Sequence, residues 1–275
     1  MTLSTVLPPR AAAGLANPAA LATFQRHWPD YCVEAAGLAG FVIVAGSAAT
    51  LLEYAGSPVR AAIQSEVLRR VVLVSVMAVC VAALLYSPRG KRTGAHINPA
   101  VTWSFYRLGR IGGMDAIFYT LFQFVGAVVA LLLLLLLLLW AIGAPFGHDR
   151  IRYGATQPGP GGEWVAFAAE FAISFVLMLI LLFALGAKTW ERRSGLLLAA
   201  LIGLYIAIKS PLSGMSLNPA RSFGTALTAG QWTGIWVYFV APPLAMMLAT
   251  EVYRHARPAT IPGLPHYPIA TEISS

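Results

Sequence analysis

Two asparagines, Asn98 and Asn218, each precede Pro-Ala, in "TGAHINPAVTW" and "GMSLNPARSFG", 120 positions apart. An asparagine in that place can do two things at once. Its carbonyl oxygen can accept from the free N–H groups that open a helix, and Pro99 or Pro219 at the first helical position gives up an N–H that had no partner there. Its amide NH₂ is then left pointing outward as a donor. Two such donors aimed at one spot would hold the oxygen of a neutral molecule and release it unchanged. Arg221 directly follows Ala220 of the second motif, and His96 stands just before the first motif, Asn98-Pro99-Ala100. Covalent chemistry has little support. Ser174 and His96 form no nucleophile–base pair by spacing, no metal-ligand spacing occurs, and "PGPGG" at 158–162 lacks a phosphate-loop lysine. The residues point to no enzyme and no cofactor.

The elements that must position these groups are membrane helices. Of 275 residues, 58% are hydrophobic and 11% charged, against about 25% charged in an ordinary soluble domain. Apolar runs long enough to cross a hydrocarbon core of about 30 Å recur at Cys32–Leu52, Val67–Tyr86, Asp115–Trp140, Glu163–Ala187, Gly195–Ile208 and Trp232–Tyr253. The third holds an unbroken leucine run, Leu131–Leu139. Six spans put both termini on one face, and that face collects most of the 19 Lys and Arg, as cytoplasmic segments do. The net charge of +8 follows from this bias. No basic stripe with interleaved aromatics implies a nucleic-acid partner. Cys32 and Cys80 fall in apolar spans and are expected to be buried, unpaired thiols packing as small hydrophobes. Residues 1–30 and 256–275, rich in Ala and Pro, are expected to be a flexible cytosolic tail and a C-terminal tail, with the working domain at 31–255.

Within that domain the chain repeats itself. Each half runs span, span, Asn-Pro-Ala segment, span, with Glu34 in the first span of one half and Glu170 in the first span of the other. Three spans per half turn the second half upside down, and inverted repeats place their site near the bilayer midplane. About ten residues after each proline make a helix of about 15 Å, half a bilayer. Entering from opposite faces, the two half-helices would meet at the centre. Irregular backbone at that depth is tolerable only where it lines a wet cavity or is packed in protein. The expected fold is an all-α membrane protein: six transmembrane helices plus two re-entrant half-helices in inverted repeats, about 31–142 and 163–255. A third Asn17-Pro18-Ala19 in "LANPAAL" has no span before it and reads as an accident of a tail rich in Ala and Pro.

From about Cys32 to Tyr253 the chain resembles the aquaporin, or major intrinsic protein, family. The likeness rests on "GAHINPAVT", "NPARSFG", Glu34, Glu170, "FQFVGA" and "VYFVAPPLA". It implies a passive channel for water or small neutral solutes (glycerol-like polyols, urea, ammonia) that excludes ions and protons. It also implies a homotetramer in the lipid of the cell membrane. By this resemblance Asn98 and Asn218 donate to the passing molecule, Arg221 belongs to the outer constriction, His96 lines the pore, and Glu34 and Glu170 hold the re-entrant loops. Each has an alternative: a headgroup-level arginine, a histidine packed against its loop, and carboxylates near helix ends. Counting from the motifs puts the remaining constriction positions at Ile206, Met215 and Val74, with Ala78 the choice if no gap is allowed. None is aromatic, and Ile206 stands where strict water channels have histidine. Ser222 stands where glycerol facilitators usually carry aspartate. Relaxed selectivity is therefore expected. The competing classes are a secondary transporter, which would need titratable groups along its path, and a structural membrane protein with a closed pore.

Overall fold

A computed structural model of the protein describes residues 18–142, 154–187 and 189–256, without the side chains of 138–142, 191 and 206–211. Among the described residues the regular structure is all helix. In order come α1 (Pro18–Glu53), α2 (Pro58–Ala62), α3 (Glu66–Tyr86), α4 (Pro88–Thr93), α5 (Pro99–Arg107), α6 (Gly113–Ile142), α7 (Gly162–Leu185), α8 (Ser194–Ser213), α9 (Pro219–Ala229) and α10 (Ile235–Ala256). Five of these, α1, α3, α6, α7 and α10, are long and apolar enough to cross a membrane. The sixth long helix, α8, has 20 residues, and Ser194–Tyr205, the part before its undescribed side chains, is apolar.

The helix starts follow one local rule. Ser57, Ser87, Asn98 and Asn218 each take extended backbone, accept a main-chain N–H with the side chain, and are followed by proline. Ser65 caps α3 in the same way without proline. The two Asn-Pro helices are the short ones, nine residues in α5 and eleven in α9. At 1.5 Å per residue they are about 14 and 17 Å long, and end to end they match the ~30 Å hydrocarbon core.

The halves pack in like manner. In the first half α1 lies against α6, in the second α7 lies against α10, and α3 meets α8 across the divide. Glycine makes these approaches possible. A Cβ on Gly126 of α6 would stand 2.3 Å from the Ala35 carbonyl oxygen of α1. Small residues let backbones come this close where no water-driven hydrophobic force acts between helices. Gly224 of α9 presses on Leu131 and Ala127 of α6 in the same way.

Two expectations need correction. Residues 18–30 are not a flexible tail: α1 begins at Pro18, so Pro18-Ala19 of the third Asn-Pro-Ala is a helix start, while Asn17 lies outside the described residues. The physical reason is a docking surface. Phe24 and Tyr31 pack on Phe118 of α6, with ring centroids 5.3 and 5.2 Å apart, and His27 and Tyr31 both bond Asp115. The second correction concerns Val74, which packs against Gly203 of α8. The remaining tail residues, 1–17 and 257–275, also lie outside the described part.

Candidate functional site

The segments before the two short helices share a backbone. Gly94 and Gly214 have φ of 87° and 70°, and four non-glycine residues follow them into the left-handed region: Ala95 (44°), Ile97 (41°), Met215 (50°) and Leu217 (60°). Such residues cost of order 1–3 kcal/mol each and persist only when the surroundings over-determine them. Here a buried carboxylate does so in each half. Glu34 accepts from the backbone N–H of His96 (3.0 Å) and Ile97 (2.5 Å), and Glu170 accepts from Ser216 and Leu217 (both 2.8 Å). Both carboxylates are fully buried. Successive N–H groups turned to one side form a nest for an anion, and each nest is filled by a carboxylate from the first helix of its own half.

Further supports come in pairs that the sequence reading missed. Thr93 and Ser213 each accept from the N–H two residues on, Ala95 and Met215, at 3.2 Å in both cases. Tyr119 and Tyr238 donate their hydroxyls to the Thr93 and Ser213 carbonyls, at 3.1 and 2.7 Å. The signal was present in the register of the two motifs: "TGAHINPA" laid over "SGMSLNPA" aligns Thr93 with Ser213. Gln123 of α6 donates to Glu34 at 2.9 Å and to Thr102 at 3.1 Å. This interaction braces the first nest alone.

The two asparagines meet. Asn98 caps α5 through Ala100 N–H (3.0 Å), and Asn218 caps α9 through Ala220 (3.0 Å) and Arg221 (3.3 Å). Each amide also crosses to the other loop: Asn98 Nδ2 donates to the Leu217 carbonyl at 2.8 Å, and Asn218 Nδ2 donates to the Ile97 carbonyl at 2.7 Å. One N–H of each amide is used in this reciprocal clasp. The other remains for the space both residues border.

That space is a cavity of about 260 Å³, room for a file of several water molecules. One wall is apolar, with Leu73, Met77 and Val81 of α3, Leu177 of α7, and Leu198 and Ile202 of α8. The other is the two loops, 95–98 and 214–218, with Arg221. Arg221 is held by a bond from its guanidinium to the Met215 carbonyl at 2.7 Å. Among the described residues no carboxylate borders the cavity.

The candidate site residues fall into three groups. Asn98, Asn218, Arg221, Met215 and His96 border the cavity. His96 also stacks on Phe105 at 4.7 Å and bonds Thr102 through Nδ1 at 3.2 Å. Pro99, Ala100, Pro219 and Ala220 form the buried first turns of α5 and α9. Val74 does not border the cavity. Its Cγ1 lies 2.7 Å from where a Cβ on Gly203 would be, at the α3–α8 contact. The lining stripe Leu73, Met77, Val81 repeats every fourth residue, as one face of a helix must, and Val74 and Ala78 fall one position off it. The short helix α4 lies between this stripe and the first motif, so a count back from Asn98 has to cross it. Ile206 belongs to α8, but its side chain lies outside the described residues.

Six long helices and two half-helices, clasped at their tips inside an axial cavity, define a membrane protein of the aquaporin fold. The chain belongs to the major intrinsic protein family, whose pattern matches residues 23–253. It is similar to aquaporin NIP1-1 of Arabidopsis thaliana, 36% identical over 186 residues, 66% of this chain and 61% of that protein. It is also similar to aquaporin NIP1-1 of Zea mays, 34% identical over 172 residues, 61% of this chain and 57% of that protein. The matched part of the chain therefore spans less than two thirds of those relatives' length. Among solved structures, the aquaglyceroporin from Plasmodium falciparum superposes with a TM-score of 0.67 at 18% identity, over 82% of this chain and 95% of that one. That last likeness concerns the fold.

Proposed function

We propose that the protein is a passive channel for water and small neutral solutes such as glycerol-like polyols, urea or ammonia, and not an enzyme. The observation that carries this is the reciprocal clasp of Asn98 and Asn218 on a cavity with one apolar wall and one polar wall. Two helix N-termini face the centre there, and Arg221 stands beyond them. Their positive potential opposes cations. An ion of either sign would shed water that Leu73, Met77 and Leu198 cannot replace. A neutral molecule exchanges its hydrogen bonds for those of the two amides and Arg221, then moves on. Two donors acting on one central water interrupt a proton-conducting file.

Glu34 and Glu170 act as loop supports, because their oxygens are already taken up by backbone N–H groups. A secondary transporter would need titratable groups on the path, and the only carboxylates at this depth among the described residues stand behind the loops. The same reading includes a homotetramer in the cell membrane, surrounded by lipid, with both termini cytoplasmic. It needs no cofactor and no nucleic acid.

The test is stopped-flow light scattering on proteoliposomes, with water, glycerol, urea and ammonia in parallel. Expected is faster volume change than in empty vesicles for water and for at least one solute, linear in the gradient and indifferent to a protonophore. Rates equal to those of empty vesicles for every uncharged osmolyte would falsify the channel. Saturable flux that a protonophore abolishes would make it a transporter.

A further inference from the structure

The segment before α7 lies over the Arg221 end of the cavity and is anchored there at three points. Gly159 N–H donates to the Leu212 carbonyl at the end of α8 (3.0 Å), Gln157 bonds Gln231 just past α9, and the Thr156 hydroxyl meets that of Ser222 at 2.7 Å. Gly214 lets it come close: a Cβ there would stand 3.1 Å from Gln157 N and 3.2 Å from Thr156 Cα. The inner edge of the segment is Gly154, which borders the cavity together with Arg221 and Thr225.

The Thr156 contact belongs to a chain of single donors. Ser216 donates its hydroxyl proton to the Asn218 carbonyl at 2.9 Å. The short contact between Ser216 and Ser222, 2.5 Å, then takes its proton from Ser222. Ser222 is left to accept from Thr156. The sequence Thr156, Ser222, Ser216, Asn218 carbonyl therefore has one direction, and each hydroxyl in it is nearly or wholly buried. Ser222 does not border the cavity at all. Its two hydroxyl partners are Ser216, which borders the cavity, and Thr156, two residues from Gly154, which borders it too.

We propose that the 154–159 segment is a fixed wall of the outer mouth, and that Thr156 is a positioning residue whose hydroxyl chain to Ser222 and Ser216 sets the mouth's width and so the size of solute admitted. This rests on the channel reading, and its test separates the two. Glycerol and water permeabilities are measured in proteoliposomes for the wild type, Thr156→Val and Thr156→Ser. Valine keeps the branched shape and removes the donor; serine keeps the donor. The expected result is a glycerol-to-water ratio raised about threefold in Thr156→Val, the order produced when one buried hydrogen bond stops biasing a segment, with the wild-type ratio restored in Thr156→Ser. A wild type that conducts nothing overturns the channel itself. A conducting wild type whose ratio Thr156→Val leaves unchanged overturns the wall alone.

Should Thr156→Val fail to insert, Gly154→Cys in a Cys32→Ser, Cys80→Ser background supplies the second measurement. A Cβ at Gly154 meets nothing within 4 Å, so a thiol has room, although the left-handed backbone there (φ 64°) strains a cysteine. Labelling with a charged, membrane-impermeant thiosulfonate from the Arg221 side is expected to remove most of the flux. Complete labelling with flux unchanged overturns the proposal.

Discussion

At the scale of single residues, the two carboxylates and the two asparagines differ in what their loss should do. Glu170 fills a nest of two buried N–H groups and the Ser213 hydroxyl. Glu170→Ala leaves those donors without an acceptor, at about 1–3 kcal/mol each, while the loop still has to hold Met215 and Leu217 at positive φ. A lowered midpoint in detergent thermal unfolding, with loss of flux, is expected; Glu170→Gln, which keeps one acceptor oxygen, should fall between. Arg221→Ala should act oppositely on stability and selectivity. The protein should stay folded, because one guanidinium–carbonyl bond is lost, yet glycerol uptake should rise relative to water and a cation leak should appear in planar bilayers. An unchanged glycerol-to-water ratio would place the narrow point elsewhere. The chemistry of these residues was legible in the sequence because it depends on local spacing: a cap, a proline and a following arginine are read directly from "NPAR". Thr93, Ser213, Tyr119 and Tyr238 were not found that way. Their work is done by hydroxyls and main-chain carbonyls, and hydroxyl side chains are common enough that overlaying the two motifs singles out only Thr93 and Ser213.

At the scale of elements, the register of α3 decides what faces the lumen. Leu73 borders the cavity and Val74 packs on Gly203, so equal substitutions at neighbouring positions should give unlike phenotypes. Leu73→Phe is expected to cut glycerol flux more than water flux in a protein that still purifies as a stable species. Val74→Phe should instead wedge α3 from α8, with overpacking of about 1–3 kcal/mol, and appear first as lost thermal stability. If Val74→Phe changes selectivity and Leu73→Phe does not, then α3 turns Val74 to the lumen and Leu73 away from it. The helices themselves were legible from hydropathy, yet this register was not, because the count from the first motif has to cross α4, whose path a linear count does not follow. The start of α1 was missed for a related reason. An Ala-rich stretch with Pro18 looks like a tail until Phe24 and Tyr31 find Phe118, and that contact joins residues far apart in sequence. Gly126 offers a check on element packing. Gly126→Val would drive side-chain atoms into the Ala35 backbone, and loss of the folded species by size-exclusion in detergent is expected.

At the scale of the whole molecule, the two halves are built alike from loops that support themselves and tips that support each other. Inverted repetition was readable from the order of spans and motifs. The cross-linking of the tips was not, because it lies in main-chain carbonyls that no side-chain pattern announces. A whole-molecule prediction follows from the cavity's lining: flux should run equally well in either direction for equal gradients, since no described group on the path has to change protonation. Vesicles with the protein in known orientation, shrunk and then swollen, would reveal any rectification. The clasp also bears on how the chain is made. Asn98 finds its acceptor on Leu217, 119 residues later, and Ile97 receives its donor from Asn218, 121 residues later. At ribosomal speeds of about 5–20 residues per second, the first re-entrant loop waits roughly 6–24 s before its counterpart exists. During that interval half a lumen stands in the bilayer with an open polar tip, and only the arrival of the second motif, about four-fifths of the way along the polypeptide, closes it.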